Sequence, residues 1–539
     1  MQGQIVAGDG DAARVTGVEL AERASAAKSL TSDPIWRLFE GTPVLGANLS
    51  VVSQLAHVVD DLAQGAIVPL AEVAGGIAVD DFRPVGGVFD LDPLIDIQPA
   101  IGQAADAVVA AQVAVRQVDA TGTITEVVSA TGRLQAAVDD AALSITAVDR
   151  AVRVLPAMLG AEGPRDYLLL VQNPAELRSS GGIVGAVAMI HTEEGTIQLT
   201  QQASGASFPR HPEPVLDLSA ETRGLYGDIT GQFMLNVGLT PDFTTSATLA
   251  REMWRLEFGA EVDGVISLDP IALGYILGAT GPITLPTGDV LSSENAVTLL
   301  LSDVYERYED PAAQDAFFAA AAASVFSAVA SGDVDPVALI SALGKAGTEQ
   351  RTRIWSAHAE DQAALSDTTL VGGLPASDLN TQSFGLYLND ATGAKMDTYL
   401  DVVTSVGQNN CRTDSRPNYG VEVKLTNSAP ADAGASLPWY VTGGGVYGVT
   451  PGNIRTIVSV YGTGELENLG LLRDGLAAPY HPASHDMYEV SAITVELAPG
   501  ESTVLLYNWL GPTAGEKHID LQMTPIIHRN ETKKLEMAC

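Results

Sequence analysis

The densest grouping of reactive side chains lies in YLLLVQNPAELRSSGGIVGAVAMIHTEEGTI, where Gln172, Asn173, Glu176 and Arg178 precede Gly181 and Gly182. A continuous apolar run, Tyr167 to Val171, leads into this polar loop, and a second apolar run over 183–190 leaves it. In α/β sheets, ligands bind in the crevice beyond the carboxyl ends of the strands. Glycines there let the backbone approach a ligand closely, and an arginine can clamp a phosphate or carboxylate with two parallel hydrogen bonds. Glu176 and Arg178 are thus the first candidates for catalysis, with Gln172, Asn173, Gly181 and Gly182 as substrate contacts. An ordinary polar turn, in which Glu176 and Arg178 pair with neighbours, satisfies the same pattern.

Glycoside cleavage needs two carboxylates flanking a sugar, about 5–5.5 Å apart for retention and about 6.5–9.5 Å for inversion. Acids that could serve beside Glu176 are Asp242, Asp263, Asp269, Glu306 and Asp315. Asp269 follows an expected strand and precedes Pro270, so it is both a candidate catalyst and a candidate helix N-cap. Arg307 and Lys395 are candidate cations for an anionic substrate. His481 and His485 have a metal-like spacing, but Pro482 between them breaks the helix that would align them, and no metal ligand is assigned. No G-x-S-x-G elbow, P-loop or Rossmann fingerprint occurs.

The segment NPAELRSSGGIVG resembles the signature of DUF4012 proteins. The likeness continues in VDGVISLDPIALGYILGATGPITLP, LSSENAVTLLLSDVYERY and LYLNDATGAKMDTYL, over roughly residues 150–410. The resemblance implies a membrane anchor and helices ahead of this region and a sandwich after it, and it assigns no activity. A remoter similarity, to the LytR-CpsA-Psr glycan phosphotransferases, rests on the order and spacing of elements in FGAEVDGVISLDPIALGYILGATGPITLPTGDVLSSENAVTLLLSDVYERY. It implies a polyprenyl-pyrophosphate glycan gripped by arginines and acids, with a divalent cation if the chemistry is phosphotransfer. By position, Arg307 would hold the pyrophosphate, and Glu176 and Arg178 the head group. The sequence departs from that family in DPAAQDAFFAAAAASVF, which lacks the basic residues of its later helix, and in Pro209-Arg210, which falls late for its Pro-Arg-Asp motif.

These residues need a scaffold, and the patterning implies three parts. Residues 12–160, rich in Ala, Val, Leu and Asp at helical spacing, read as an elongated helical bundle. Residues 161–400 alternate strands and helices, as an α/β layered domain does, with a LytR-CpsA-Psr-like form implied by the resemblance. Residues 401–539 show period-two runs separated by turn residues, the pattern of an antiparallel β-sandwich.

With 66 acidic and 29 basic residues the net charge is -37. Such a surface repels phosphate backbones and anionic lipid, which excludes nucleic acid as a partner. No run of roughly 18 apolar residues suggests a membrane span. The opening MQGQIVAGDGDAARVTG has neither a basic nor an apolar signal region. Membrane attachment is therefore expected only through an anchor absent from this chain. Cys411 and Cys539 flank the β-rich segment and read as a disulfide, or else as two unrelated thiols.

The resulting expectation is an extracytoplasmic enzyme, at the cell surface or secreted, that transfers or processes a cell-wall polysaccharide or lipid-linked glycan. A glycoside hydrolase or transglycosylase cleaving an arabinan-type polysaccharide, and a non-catalytic module binding glycan or protein, are the alternatives.

Overall fold

The computed structural model describes residues 10–539 apart from 44, 75–82, 309, 333, 367, 514 and 529–530. Residues 44 and 75–82 of the expected 12–160 bundle lie outside these residues. The chain forms two compact units. One comprises the residues up to Arg165 with the short segments Thr192–Ile197 and Ala330–Gly332, and the other holds the rest.

The first unit is helical: α1 (Gly10–Thr31), α2 (Pro34–Glu40), α3 (Leu45–Leu62), α4 (Asp92–Arg116) and α5 (Thr125–Met158). Helix α3 continues through a π-helical turn, Ala63–Ile67, into Val68–Ala74. Small apolar residues at helical spacing form the seam, among them Ala66, Ala104, Val108, Ala111, Val115, Val138 and Ala142. Alanines at these positions let helix axes approach closely, but they offer no chemistry.

The second unit begins with a five-stranded sheet: β1 (Arg165–Asn173), β2 (Ile183–Glu193), β3 (Thr196–Ser204), β4 (Gly264–Leu268) and β5 (Thr352–Ser356). Their order is β3-β2-β1-β4-β5, so β1 is central. Strands β1 and β4 run parallel, with Tyr167 opposite Gly264 and Val171 opposite Leu268, and β5 runs antiparallel to β4. The helices are α6 (Ala220–Tyr226), α7 (Phe243–Phe258), α8 (Pro270–Thr280), α9 (Pro311–Ala330) and α10 (Pro336–Thr348). Leu168 and Leu170 of β1 pack with Phe243, Met253 and Trp254 of α7 to make the core on one face.

Among the described residues one helical stretch, Ala312–Ala330, has the length and composition to cross a membrane. Its Phe317, Ala321 and Val325, spaced by four, pack into a second α/β core with Leu277, Leu291 and Leu300. This stretch interrupts its apolar residues with Gln314 and Asp315.

The sandwich comprises β6 (Thr381–Asp390), β7 (Leu400–Asn409), β8 (Asn418–Asn427), β9 (Ile454–Thr463), β10 (Glu467–Arg473), β11 (Leu476–Ala477), β12 (His481–His485), β13 (Tyr488–Leu497), β14 (Ser502–Leu510), β15 (His518–Met523) and β16 (Lys533–Lys534). One sheet is ordered β11-β10-β14-β8-β7-β16 and the other β12-β13-β9-β6-β15. Strand β6, expected in the central domain, thus belongs to the sandwich, where it pairs with β9. Phe384, Tyr419, Tyr507 and Trp509 fill the space between the sheets. Cys411 and Cys539, with Cα atoms 5.4 Å apart, form a disulfide.

Candidate functional site

The polar loop Pro174–Gly182 leaves the carboxyl end of β1 and is buried apart from part of Glu176. Its three central side chains go to three different places. Leu177 enters the hydrophobic core of the sandwich beside Phe384, Leu386 and Met396. Glu176 pairs with Lys395 at 2.8 Å, the side chains being 16% and 7% exposed. Arg178 turns the other way and donates to the Leu177 carbonyl at 2.9 Å and to Asn236 Oδ1 at 3.2 Å.

The loop backbone is equally occupied. Asp397 Oδ2 accepts from the Leu177 amide at 2.7 Å, and the Asp390 amide donates to the Leu177 carbonyl at 2.8 Å. Asn389 accepts from the Ser179 amide and donates to Ser179 Oγ, while Thr524 Oγ1 donates to the Ser179 carbonyl. The buried guanidinium of Arg353 donates to the Ser180 carbonyl, and burial pushes its pKa down to about 10. Gly181 sits at φ 134°, in the region that favours glycine. A Cβ on Gly182 would overlap the backbone of Asn173 and Pro174. The two glycines serve close packing of the chain on itself.

Three acids and two bases meet here, and their titration follows from burial. Burial alone would raise the Glu176 carboxyl, but the Lys395 ammonium and the Arg178 guanidinium hold it below its ordinary value. Burial would lower Lys395, yet the Glu176 carboxylate keeps it raised. Asp390 is raised by burial, against the pull of Arg178. Asp397 is raised well above the usual carboxylate range, first by burial and then by Asp390.

Above the ion pair stands a group of aromatic rings that the sequence reading did not single out. Lys395 Nζ lies 4.6 Å from the Tyr305 ring centroid and 5.3 Å from that of Tyr440. Tyr305 and Tyr440 are tilted against each other at 5.8 Å, and Trp439 meets Tyr440 edge-on at 5.9 Å. Asn173 donates to the Tyr305 hydroxyl at 2.5 Å. Tyr305 is buried and Trp439 is 71% exposed, so the tier runs from the core to solvent. The available signal was PWYVTGGGVYG, an aromatic and glycine-rich stretch between two sandwich strands.

The remaining candidates lie in other settings. Gln172 is buried and donates to Ser180 Oγ at 3.0 Å. Asp242 caps α7 through the amides of Thr244 and Thr245. Asp269 caps α8 through the Ala272 amide and pairs with the buried Arg351 at 2.8 Å, and burial nonetheless leaves its carboxyl raised. Asp263 precedes β4 and bonds the Asp166 amide and His358, at the end of the strands opposite the loop. A five-residue strand spans about 17 Å, so Asp263 does not share a crevice with Glu176. Arg307 is exposed and paired with Asp289 at 2.7 Å, and Glu306 and Asp315 are exposed.

His485 lies in strand β12 between Thr222 Oγ1 at 3.0 Å and the Tyr461 hydroxyl at 3.1 Å, whereas His481 is exposed. Among the described residues no group of three or more His, Cys, Asp or Glu could hold a metal ion.

No curated protein matches the sequence. Residues 162–305 match the family described as "Protein of unknown function (DUF4012)". That segment holds the buried loop, the β4–α8 turn and Tyr305.

Proposed function

We propose that this chain is an extracytoplasmic protein of the bacterial envelope that binds glycan without transferring or cleaving it. The observation that carries the reading is the aromatic tier, which ends in solvent at Trp439 and rests on the Glu176–Lys395 pair. Aromatic faces supply apolar contact to the C–H face of a sugar at low entropic cost, because a ring has only two side-chain torsions. The disulfide fits an oxidising compartment outside the cytoplasm.

The two catalytic readings fare less well on charge. Pyrophosphate transfer needs concentrated positive charge. Here Lys395 is neutralised by Glu176, Arg307 by Asp289, and Arg178 is spent on Leu177 and Asn236. Hydrolysis needs two carboxylates open to one sugar. Asp390 and Asp397 are buried, and Glu176 is bound to its cation.

The test is incubation of the full chain with insoluble envelope polysaccharide and with lipid-linked glycan, followed by sedimentation and mass spectrometry of the supernatant. Protein in the pellet with intact glycan supports the proposal. Released oligosaccharide would overturn it in favour of hydrolysis, and liberated polyprenyl phosphate in favour of transfer.

A further inference from the structure

We infer that the loop 438–448 forms a subsite for an uncharged sugar, stacked on Trp439 and bordered by Tyr447, which excludes polymers bearing carboxylates or phosphates. The inference rests on the glycan-binding reading and names the class of glycan.

Trp439 and Tyr447 are 71% and 66% exposed, and Val446 between them is also open. Three successive glycines, Gly443, Gly444 and Gly445, at φ 69°, 56° and 81°, lie between the two rings in the sequence. The loop is nonetheless held. The Lys395 amide donates to the Val441 carbonyl at 3.0 Å, and Arg455 Nη2 donates to the Gly448 carbonyl at 3.0 Å. The Tyr447 ring lies over Gly393, where a Cβ would overlap it. Trp439 is braced edge-on by Tyr440, which lies within 5.3 Å of the Lys395 ammonium. Exposed rings on an anchored loop lose little freedom when a ligand docks, which is the condition for useful affinity from a small contact.

The charges around the loop select the ligand. Two cations that hold the loop are already matched, Lys395 by Glu176 and Arg455 by Glu496 at 2.8 Å. The exposed Glu306 follows Tyr305 and lies close enough to Tyr399 to raise its hydroxyl, after burial, above its ordinary value. The chain as a whole carries -37. An anionic sugar would meet the repulsion of that charge, which a neutral ring does not feel.

The experiment is affinity electrophoresis of the full chain in native gels containing soluble neutral arabinan or galactan, or anionic polygalacturonate or wall teichoic acid. The expected result is retardation by a neutral polymer and none by the anionic ones. Trp439→Ala should weaken retardation roughly ten-fold, the scale of one lost aromatic stack. Leu379→Ser, which changes a still more open apolar residue outside this loop, should leave retardation unchanged. Unchanged circular dichroism and urea midpoint establish that both variants are folded. Equal retardation by anionic polymers overturns the neutral class while leaving glycan binding in place. Wild-type behaviour of Trp439→Ala, or an equal loss in Leu379→Ser, overturns the loop as the subsite. Retardation by no polymer overturns this inference and the glycan-binding reading together.

Discussion

Lys395→Met is the perturbation that most directly tests whether the Glu176 loop is an interlock. It removes the cation paired with Glu176 and leaves a carboxylate, 16% exposed, beside the buried Asp390 and Asp397. Breaking one side of a buried ion pair costs about 3–5 kcal/mol. The residual field of Arg178 and the partial exposure of Glu176 place the expected loss near the lower figure, about 3 kcal/mol. For a unit this large that is a fall of about 5 °C in apparent Tm.

Glu176→Gln strands Lys395 and should cost a similar amount, about 3 kcal/mol. The double variant buries neither charge and should cost only about 1 kcal/mol, a coupling of several kcal/mol between the two sites. Near-UV circular dichroism during urea unfolding reads the second unit, since four of the five tryptophans lie in it.

The pH window follows from the signs. Glu176 is held low, so its stabilisation is present above the unfolded pKa and is lost as pH falls through the folded value. Lys395 is held high, so its stabilisation is present below the unfolded pKa and is lost as pH rises through the folded value. The difference between wild type and the double variant should therefore be flat from about pH 5 to about pH 10 and vanish in acid. A Lys395→Met variant within about 1 kcal/mol of wild type, or a cycle that closes additively, refutes the interlock.

Asp397→Asn should stabilise the protein by roughly 1–2 kcal/mol at pH 8, because the folded state favours a neutral group there. The gain should shrink towards pH 4, and equal urea midpoints at pH 8 would count against it. His485 is held low by burial, against Asp486, Asp242 and Glu221, so the folded state resists its protonation. Stability is then lost as pH falls below the unfolded value of about 6.5, and His485→Gln should flatten that slope in urea midpoints between pH 7 and pH 5. Reduction of Cys411–Cys539, separated by 128 residues, should cost about 5 kcal/mol in the chain-entropy estimate. An unchanged urea midpoint with reductant, once thiol titration confirms two free cysteines, would contradict that figure. Gly182→Ala should give insoluble or strongly destabilised protein, because the new methyl meets backbone rather than a movable side chain. Wild-type solubility and thermal unfolding would show that the loop can relax.

What could be read from the sequence is what neighbouring residues decide. Asp269 is a candidate helix N-cap in the sequence, and α8 runs Pro270–Thr280 between that N-cap and Gly281. The continuous apolar run Tyr167 to Val171 lies in β1, at the centre of its sheet. Local caps and short apolar runs need no distant partner to act. The loop's fate needed one. Glu176 is joined to a lysine 219 positions away, and no spacing rule distinguishes that lysine from another cation. Lys395 was singled out, but as a ligand for substrate, not as a counter-ion for Glu176. Tyr305, Tyr440 and Trp439 carry no mark of their role in the sequence, because isolated aromatic residues read first as core. The start of the sandwich was set about twenty residues late, because β6 follows a helical region and its pairing partner β9 lies far ahead in sequence.

Leu177 imposes an order of events during synthesis. Its amide waits for Asp397, 220 residues later in the chain, and the carbonyl of Ser179 waits for Thr524, 345 residues later. Until those late segments emerge, the nascent α/β layer presents an apolar plug and unmatched ions, and loop-closure entropy makes such distant contacts slow. A polypeptide cut between the two layers would hold most of its strands and helices yet lack the socket that finishes them. Such fragments should aggregate or be degraded instead of behaving as autonomous domains.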